Sequence, residues 1–262
     1  MGSGFRTEQH EGIATWTFDR PEARNAIDEG VVDALSAALD AAEHDRGLRA
    51  VVLTGAGDSV FVSGADLKFL RSATPERREL NDTRMLGLMD RLEALPVPVI
   101  AALNGAVIGG GTEIAMACDL RIAEPHTSLM MKHAAMGISP GWGGLARMAG
   151  LVGRSTSAKL LFTALPVGAE EALRVGLVDE LAATGGSRER ALELARAVAQ
   201  NSPTTVAEVK RLLWFTYRAG PQAGSPEERA LFLVRQASPD HREALTAFFD
   251  KRGPNFKPRG EG

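Results

Sequence analysis

The chain has a single cysteine in its 262 residues, Cys118, so no internal disulfide can form. It also lacks a hydrophobic run near the ~18 residues of a membrane span, which excludes a helical membrane protein. Charge of one sign is missing too: 30 Lys and Arg against 33 Asp and Glu leave a net charge of −3, with the basic residues scattered. Such a chain generates no field that would gather nucleic acid or an anionic membrane. The histidines His10, His44, His126, His133 and His241 show no close ligand spacing with Asp, Glu or Cys, so no metal site is expected. The opening MGSG has no charged and apolar regions of a signal peptide and reads as a disordered start or a cloning remnant. A cytoplasmic protein with an ordinary globular core is expected, since 44% of the residues are hydrophobic and 24% charged.

What is present alternates. IATWTFD reads as a strand, DEGVVDALSAALDAAEHD as a helix capped by Asp28 with Val31, Leu35, Leu39 and Ala42 on one face, and RAVVLTGAGD as a buried strand. TPERRELNDTRMLGLMDRLEAL starts a helix at Thr74 and Pro75 and should carry Leu80, Leu88, Leu92 and Leu95 inward. PVIAALNG, a glycine triplet with its helix, DLRIAEP and SLMMK continue the pattern, which implies an α/β core with parallel strands. From Ser187 onward the signals are only helical. The division expected is a core over residues 1–200 and a helical region over 201–262. AGPQAGSPEE reads as a flexible connector, and the tail GPNFKPRGEG as a fraying end.

The stretch GAVIGGGTEIAMACD sets three glycines before Glu113 at the start of an apolar helix. Glycines permit close backbone approach, and the first amides of a helix point outward without internal partners, so the end favours negative charge. A phosphate cradle, an oxyanion hole and plain packing compete for it. The triplet ends Gly-Thr-Glu where a Walker loop needs Gly-Lys-Ser/Thr, and G-x-G-x-x-G is absent. GISPG imitates a nucleophile elbow around Ser139, but the next residue, Pro140, has no N–H to give an oxyanion.

Taken in order, VVLTGAGDSVFVSGADLKFL, PVIAALNGAVIGGGTEIAMACDLRIAE, MGISPGWGGLARMAGLVGRSTSAKLLFTA and EEALRVGLVDEL resemble the enoyl-CoA hydratase/isomerase (crotonase) superfamily, over about Ile13 to Lys257. The resemblance implies an α/β fold, a spiral of ββα turns with a C-terminal helical region that packs trimers and often hexamers. It implies an acyl-CoA thioester as substrate, with coenzyme A part of that substrate and no other cofactor. It places an oxyanion hole at the backbone N–H groups of Ala65 and Gly110. Losing one such donor typically raises a barrier by about 2.7–4 kcal/mol. Glu113 matches a family glutamate used in acid/base chemistry; in isolation it would equally suit the helix dipole.

The chain departs from the family's hydratases at one position. They carry a second glutamate shortly before the GxxPGxGG stretch, where His133 stands here. A histidine there either titrates near neutral pH and replaces the carboxylate in part, or serves as a hydrogen-bonded core residue. KHAAMGISPGWGG looks most like the ethylmalonyl-CoA decarboxylase branch, in which expulsion of carbon dioxide generates the same enolate. Decarboxylation of a short branched malonyl-CoA is therefore the favoured expectation. Hydration or isomerisation of a short enoyl-CoA is the alternative, and a catalytically silent CoA-binding protein the third. Trp142, with Pro140 and Gly141, would shape the acyl pocket or simply pack. For the CoA moiety the resemblance suggests backbone near Ala26 and around Ala65, Asp66 and Leu67, phosphate contacts from Arg24 and Lys68, and Lys251 reaching a neighbouring subunit.

Overall fold

The computed structural model describes residues 4–261; residues 1–3, which carry most of the presumed disordered start, and residue 262 lie outside the described residues. Strands β1 (Phe5–His10) and β2 (Ile13–Phe18) form an antiparallel hairpin. Its two-residue loop, Glu11 and Gly12, has positive φ at both positions, the geometry whose twist matches the strands it joins. Helix α1 (Glu29–His44) follows, with the Asp28 carboxylate accepting from Val31 N–H at 3.0 Å, and Val31, Leu35, Leu39 and Ala42 are buried as the periodicity requires.

From there the chain repeats one pattern. β3 (Ala50–Gly55), β5 (Val99–Leu103) and β7 (Leu120–Ala123) extend a first sheet beside β2, all parallel. Each is followed by a short strand of a second sheet, β4 (Val60–Val62), β6 (Ala106–Ile108) and β8 (Ser128–Met130), and then by helical structure. The helices after these three strand pairs are α2 (Leu67–Ser72) with α3 (Pro75–Ala94), then α4 (Gly110–Ala117), then α5 (Gly144–Thr163). Three strand-strand-helix turns wind in succession, although no sequence repeat marks them. β9 (Val167–Gly168) closes the second sheet antiparallel to β8, α6 (Ala169–Val175) follows, and β10 (Glu180–Leu181) joins the first sheet beside β7. The sheets are thus mixed and not purely parallel, because one edge strand of each, β1 in the first and β9 in the second, runs antiparallel to its neighbour.

Strands β2, β3 and β5 of the first sheet are buried on both faces, and side-chain alternation sorts the sheet's residues. Ile13, Val52, Ile100 and Ile122 pack beneath Ala191 and Ala195 of α7 (Ser187–Ala199). Trp16, Val51, Leu53 and Ala101 face the larger core with α1, α3 and α4. On α3, Leu88, Leu92 and Leu95 are inward, but Leu80 is 60% exposed. The inward stripe begins instead at Asn81 and Met85, which continue the i, i+4 row of Met89, while Leu80 falls on the neighbouring face. Burial pushes the Cys118 thiol at the end of α4 up to about 12.

Two expectations for the C-terminal region are corrected. AGPQAGSPEE is no flexible connector: after the break at Gly220 it forms the first turns of α9 (Pro221–Gln236), packed on α8 (Pro203–Ala219). Its Gly224 lies so close to α8 that a Cβ would sit 2.2 Å from Thr216 Oγ1. Nor does the tail after α10 (Pro239–Phe249) hang free. Arg259 donates from its amide to Arg46 O at 3.2 Å and from Nη2 to Asp45 O at 3.0 Å, and Gly260 N–H donates to Thr204 Oγ1 at 3.1 Å. A carboxylate performs a comparable tie between β7 and α7. Buried Glu124 accepts from Gly185 N–H at 2.6 Å and from the Ser187 hydroxyl at 2.6 Å. Burial works against its charge, yet the Ser187 and Gly185 donors prevail and hold its carboxyl below the ordinary value of 4.5. A depressed carboxyl stabilises the fold above its unfolded-state value and ceases to as pH falls through its folded value. Glu124→Gln should therefore lower stability by about 1–3 kcal/mol at neutral pH. It should also flatten the loss seen below pH 4.5 in urea unfolding followed against pH.

Candidate active site

The site forms where α4 begins. Gly109 has φ 53 and ψ −120, a conformation closed to ordinary side chains, and turns the chain from β6 into α4. Its carbonyl then accepts from both the amide and the hydroxyl of Thr112, at 2.9 and 2.6 Å. The next two glycines serve close approach. A Cβ on Gly110 would meet the Trp142 ring at 2.2 Å, and one on Gly111 would meet Val62 O at 2.1 Å.

Glu113 sits one turn further along, 3% exposed. Its Oε2 accepts from two backbone amides, Trp142 and Gly144, each at 2.8 Å. Oε1 lies 3.1 Å from His133 Nε2. One proton fits this contact, and with Nε2 as donor a neutral ring leaves Nδ1 as its acceptor. That Nδ1 is buried and without a partner among the described residues. The structure thus brings Glu113, His133 and Trp142 into one cluster. The Trp142 indole, 4% exposed, donates from Nε1 to Asp82 Oδ1 at 3.1 Å and lies across Gly110. Half-buried Pro140 and exposed Gly141 lead into this turn.

The loop before α2 comes alongside. Gly64, with φ +88, approaches so closely that a Cβ there would stand 2.9 Å from Gly110 N. Ile27 N–H donates to Gly64 O and Asp66 N–H donates to Ile27 O, both at 2.8 Å. This parallel bridge pairs Ile27 with Ala65 and turns the Ala65 N–H to the opposite side. Gly110, as the first residue of α4, likewise carries an amide with no intrahelical partner. Preset amides of this kind stabilise an oxyanion without reorganising.

The residues expected near CoA are more dispersed. Ala26 is buried and its carbonyl accepts from Arg20 Nη1 at 2.8 Å. Asp66 caps α2 through Lys68 N–H at 2.8 Å and pairs with Arg20 at 2.9 Å, so its carboxylate is already committed. Burial opposes that charge, but these donors prevail and keep its carboxyl below the ordinary range. Arg24, Leu67 and Lys68 are exposed near this loop, and Lys251 is exposed after α10. A separate apolar cavity of about 770 Å³, lined by Met116, Leu120, Val206, Leu213, Trp214 and Tyr217, contains neither Glu113 nor His133. No cluster of three or more His, Cys, Asp or Glu side chains suited to a metal occurs among the described residues.

Sequence reading missed the supports. Asp82 and the buried Glu93 and Arg147 carry no local motif, and their roles depend on helices meeting across the fold.

Comparison with known proteins supplies the family. Residues 8–259 match the model of the enoyl-CoA hydratase/isomerase family. The chain belongs to that family. Among its relatives, the short-chain-enoyl-CoA hydratase of Clostridium acetobutylicum is 35% identical, with 94% of each chain covered. The 2,3-dehydroadipyl-CoA hydratase of Escherichia coli is also 35% identical, covering 96% of this chain and 97% of its own. A crystal structure of an enoyl-CoA hydratase from Bacillus anthracis superposes with a TM-score of 0.94 at 30% identity, over 97% of this chain and 99% of that one. Pseudomonas aeruginosa DspI gives 0.92 at 33% identity, over 97% of both. The family fold, a crotonase-like winding of strand-strand-helix turns, is the one built above.

The tight seat of Glu113 makes a sharp prediction. A Cβ on Gly144 would lie 2.4 Å from Glu113 Cγ and 2.9 Å from Oε2. Gly144→Ala should therefore displace the carboxylate from both amides in a crystal structure and lower stability by about 1–3 kcal/mol in denaturant titration.

Proposed function

We propose that this chain adds water across the double bond of a short 2-enoyl-CoA thioester. The observation that carries the reading is the pose of Glu113: a carboxylate buried beside the Gly110 amide, fixed by two N–H groups and one imidazole. In this reading the thioester oxygen lies between the Ala65 and Gly110 amides, which draw electron density from the β-carbon. Oε1 retains a lone pair beyond its contact with His133, and takes a proton from water as the hydroxyl adds to the β-carbon. The enolate then collapses and the same carboxyl returns that proton to the α-carbon, so one water is added in all. His133 orients the carboxylate and replaces the family's second glutamate. Trp142, with Pro140 and Gly141, borders the acyl group. Arg24 and Lys68 offer cations to the CoA phosphates, and the backbone near Ala26 and from Ala65 to Leu67 borders the adenosine. Coenzyme A enters only as part of the substrate.

The names of the relatives support hydration more than the decarboxylation that His133 and Trp142 suggested. Decarboxylation remains the second reading because its enolate would use the same amides and needs only one proton donor. Assayed side by side, crotonyl-CoA should lose its conjugated-thioester absorbance, and methylmalonyl- and ethylmalonyl-CoA should release no carbon dioxide. Glu113→Gln should lower hydration by about 10²–10⁴-fold. Carbon dioxide release without hydration would transfer the reading to decarboxylation. Binding without turnover of either substrate type would defeat both and leave a silent binder.

Self-association is part of the proposal. Leu213, Phe232, Phe248 and Phe249 expose apolar side chains along α8 to α10, and exposed apolar surface of this kind suits contact with another copy of the chain. Lys251 belongs to the same segment. Light scattering at micromolar concentration should give a mass of three or six chains, and a monomer mass would remove Lys251 from the neighbouring CoA site.

A further inference from the structure

Both amides that hold Glu113 Oε2 come from one turn, residues 142–144, and the other side of that turn rests on Arg147. Its Nη1 donates to Trp142 O at 3.1 Å, and its own amide donates to Gly143 O at 3.4 Å. A Cβ on Gly143 would lie 2.4 Å from the same Nη1, so the guanidinium is pressed against the turn's central residue. The rest of the fork is anchored to α3, with Nε donating to Glu93 Oε2 and Nη2 to Asp90 Oδ1, each at 2.7 Å. Arg147 is 7% exposed and Glu93 is 3% exposed, and the second Glu93 oxygen takes Arg218 from α8. A buried ion pair of this kind is weak evidence for stability but a stiff means of fixing geometry.

We infer that Arg147 is a positioning residue for Glu113, holding the turn whose two amides fix the carboxylate, with Glu93 and Asp90 holding Arg147. This rests on the reading that Glu113 is the working carboxylate. The group acts through geometry: Trp142 gives its carbonyl to Arg147 and its N–H to Glu113, so one peptide plane on either side of residue 142 links the two charged side chains. Only a planar fork reaches the turn, Glu93 and Asp90 together; a lysine ammonium keeps the charge and loses that reach.

The test compares Arg147→Lys with Glu93→Gln, which leaves Arg147 and the turn itself unchanged and exchanges the carboxylate that holds Nε for a neutral amide of the same size. Each is measured for kcat and KM on crotonyl-CoA, and for amide hydrogen exchange across residues 140–145, which needs no substrate. Exchange should accelerate and kcat should fall by about 10- to 100-fold, the usual effect of misplacing a catalytic group by an ångström or less. KM should stay within about twofold, because the interaction lost is one made in the transition state. In a Glu113→Gln background the same changes should lower the residual kcat by less than about twofold, since residues that act as a unit are not additive. Unchanged exchange with unchanged kcat, or equal losses in both backgrounds, would overturn the inference. If Arg147→Lys does not fold, Glu93→Gln decides on the same criteria. Full turnover by Glu113→Gln sinks the functional reading instead, and the two failures are told apart because exchange across the turn is read without substrate.

Discussion

The site depends on how a buried carboxylate is held. Glu113 lies in an apolar helix, out of water, and the fold supplies it with two amides from residues 142 and 144 and the ring of His133. An ionised group in such a place is tolerable only when its lone pairs are met. That requirement accounts for much of the surrounding sequence. Gly144 must lack a side chain, Gly110 must admit the Trp142 ring, and the turn between must be braced from behind.

The winding of the chain brings these parts together. Each strand-strand-helix turn delivers a loop and a helix start to the junction of the two sheets. The turn from β3 and β4 brings Gly64 and Ala65, the next brings Gly110 and Glu113, and the one from β7 and β8 brings His133 and the residues leading into α5. Because the strands lie side by side in the first sheet, the three loops are neighbours although they are far apart in sequence. Glu113 itself is seated on a helix, the start of α4 being fixed by Thr112 on Gly109.

What the sequence made legible was local. The Asp28 and Thr74 caps, the stripe of α1 and the glycine triplet announce themselves by spacing within a few residues, and all are found in place. The Glu11-Gly12 hairpin was equally local but hidden, because its strand β1 is charged and exposed except at Phe5. Leu80 misled because its hydrophobicity was counted without its place on the helix, where Asn81 takes the inward position. AGPQAGSPEE looked like a linker by composition, yet Pro221 suits a helix start and Gly224 suits close packing on Thr216, so tertiary contact reversed the local signal. The Arg147, Glu93 and Asp82 supports left no pattern, since each pairs residues more than fifty positions apart.

The central claim is a spatial one: a thioester oxygen gripped by the Ala65 and Gly110 amides, with Glu113 Oε1 beside its reacting carbons. A crystal structure with a non-hydrolysable enoyl-CoA analogue measures this directly. The account predicts the carbonyl oxygen about 2.7–3.1 Å from both amide nitrogens, with the α- and β-carbons facing Glu113. An acyl group lodged in the separate cavity beside Trp214, or a thioester oxygen bonded to neither amide, would contradict it.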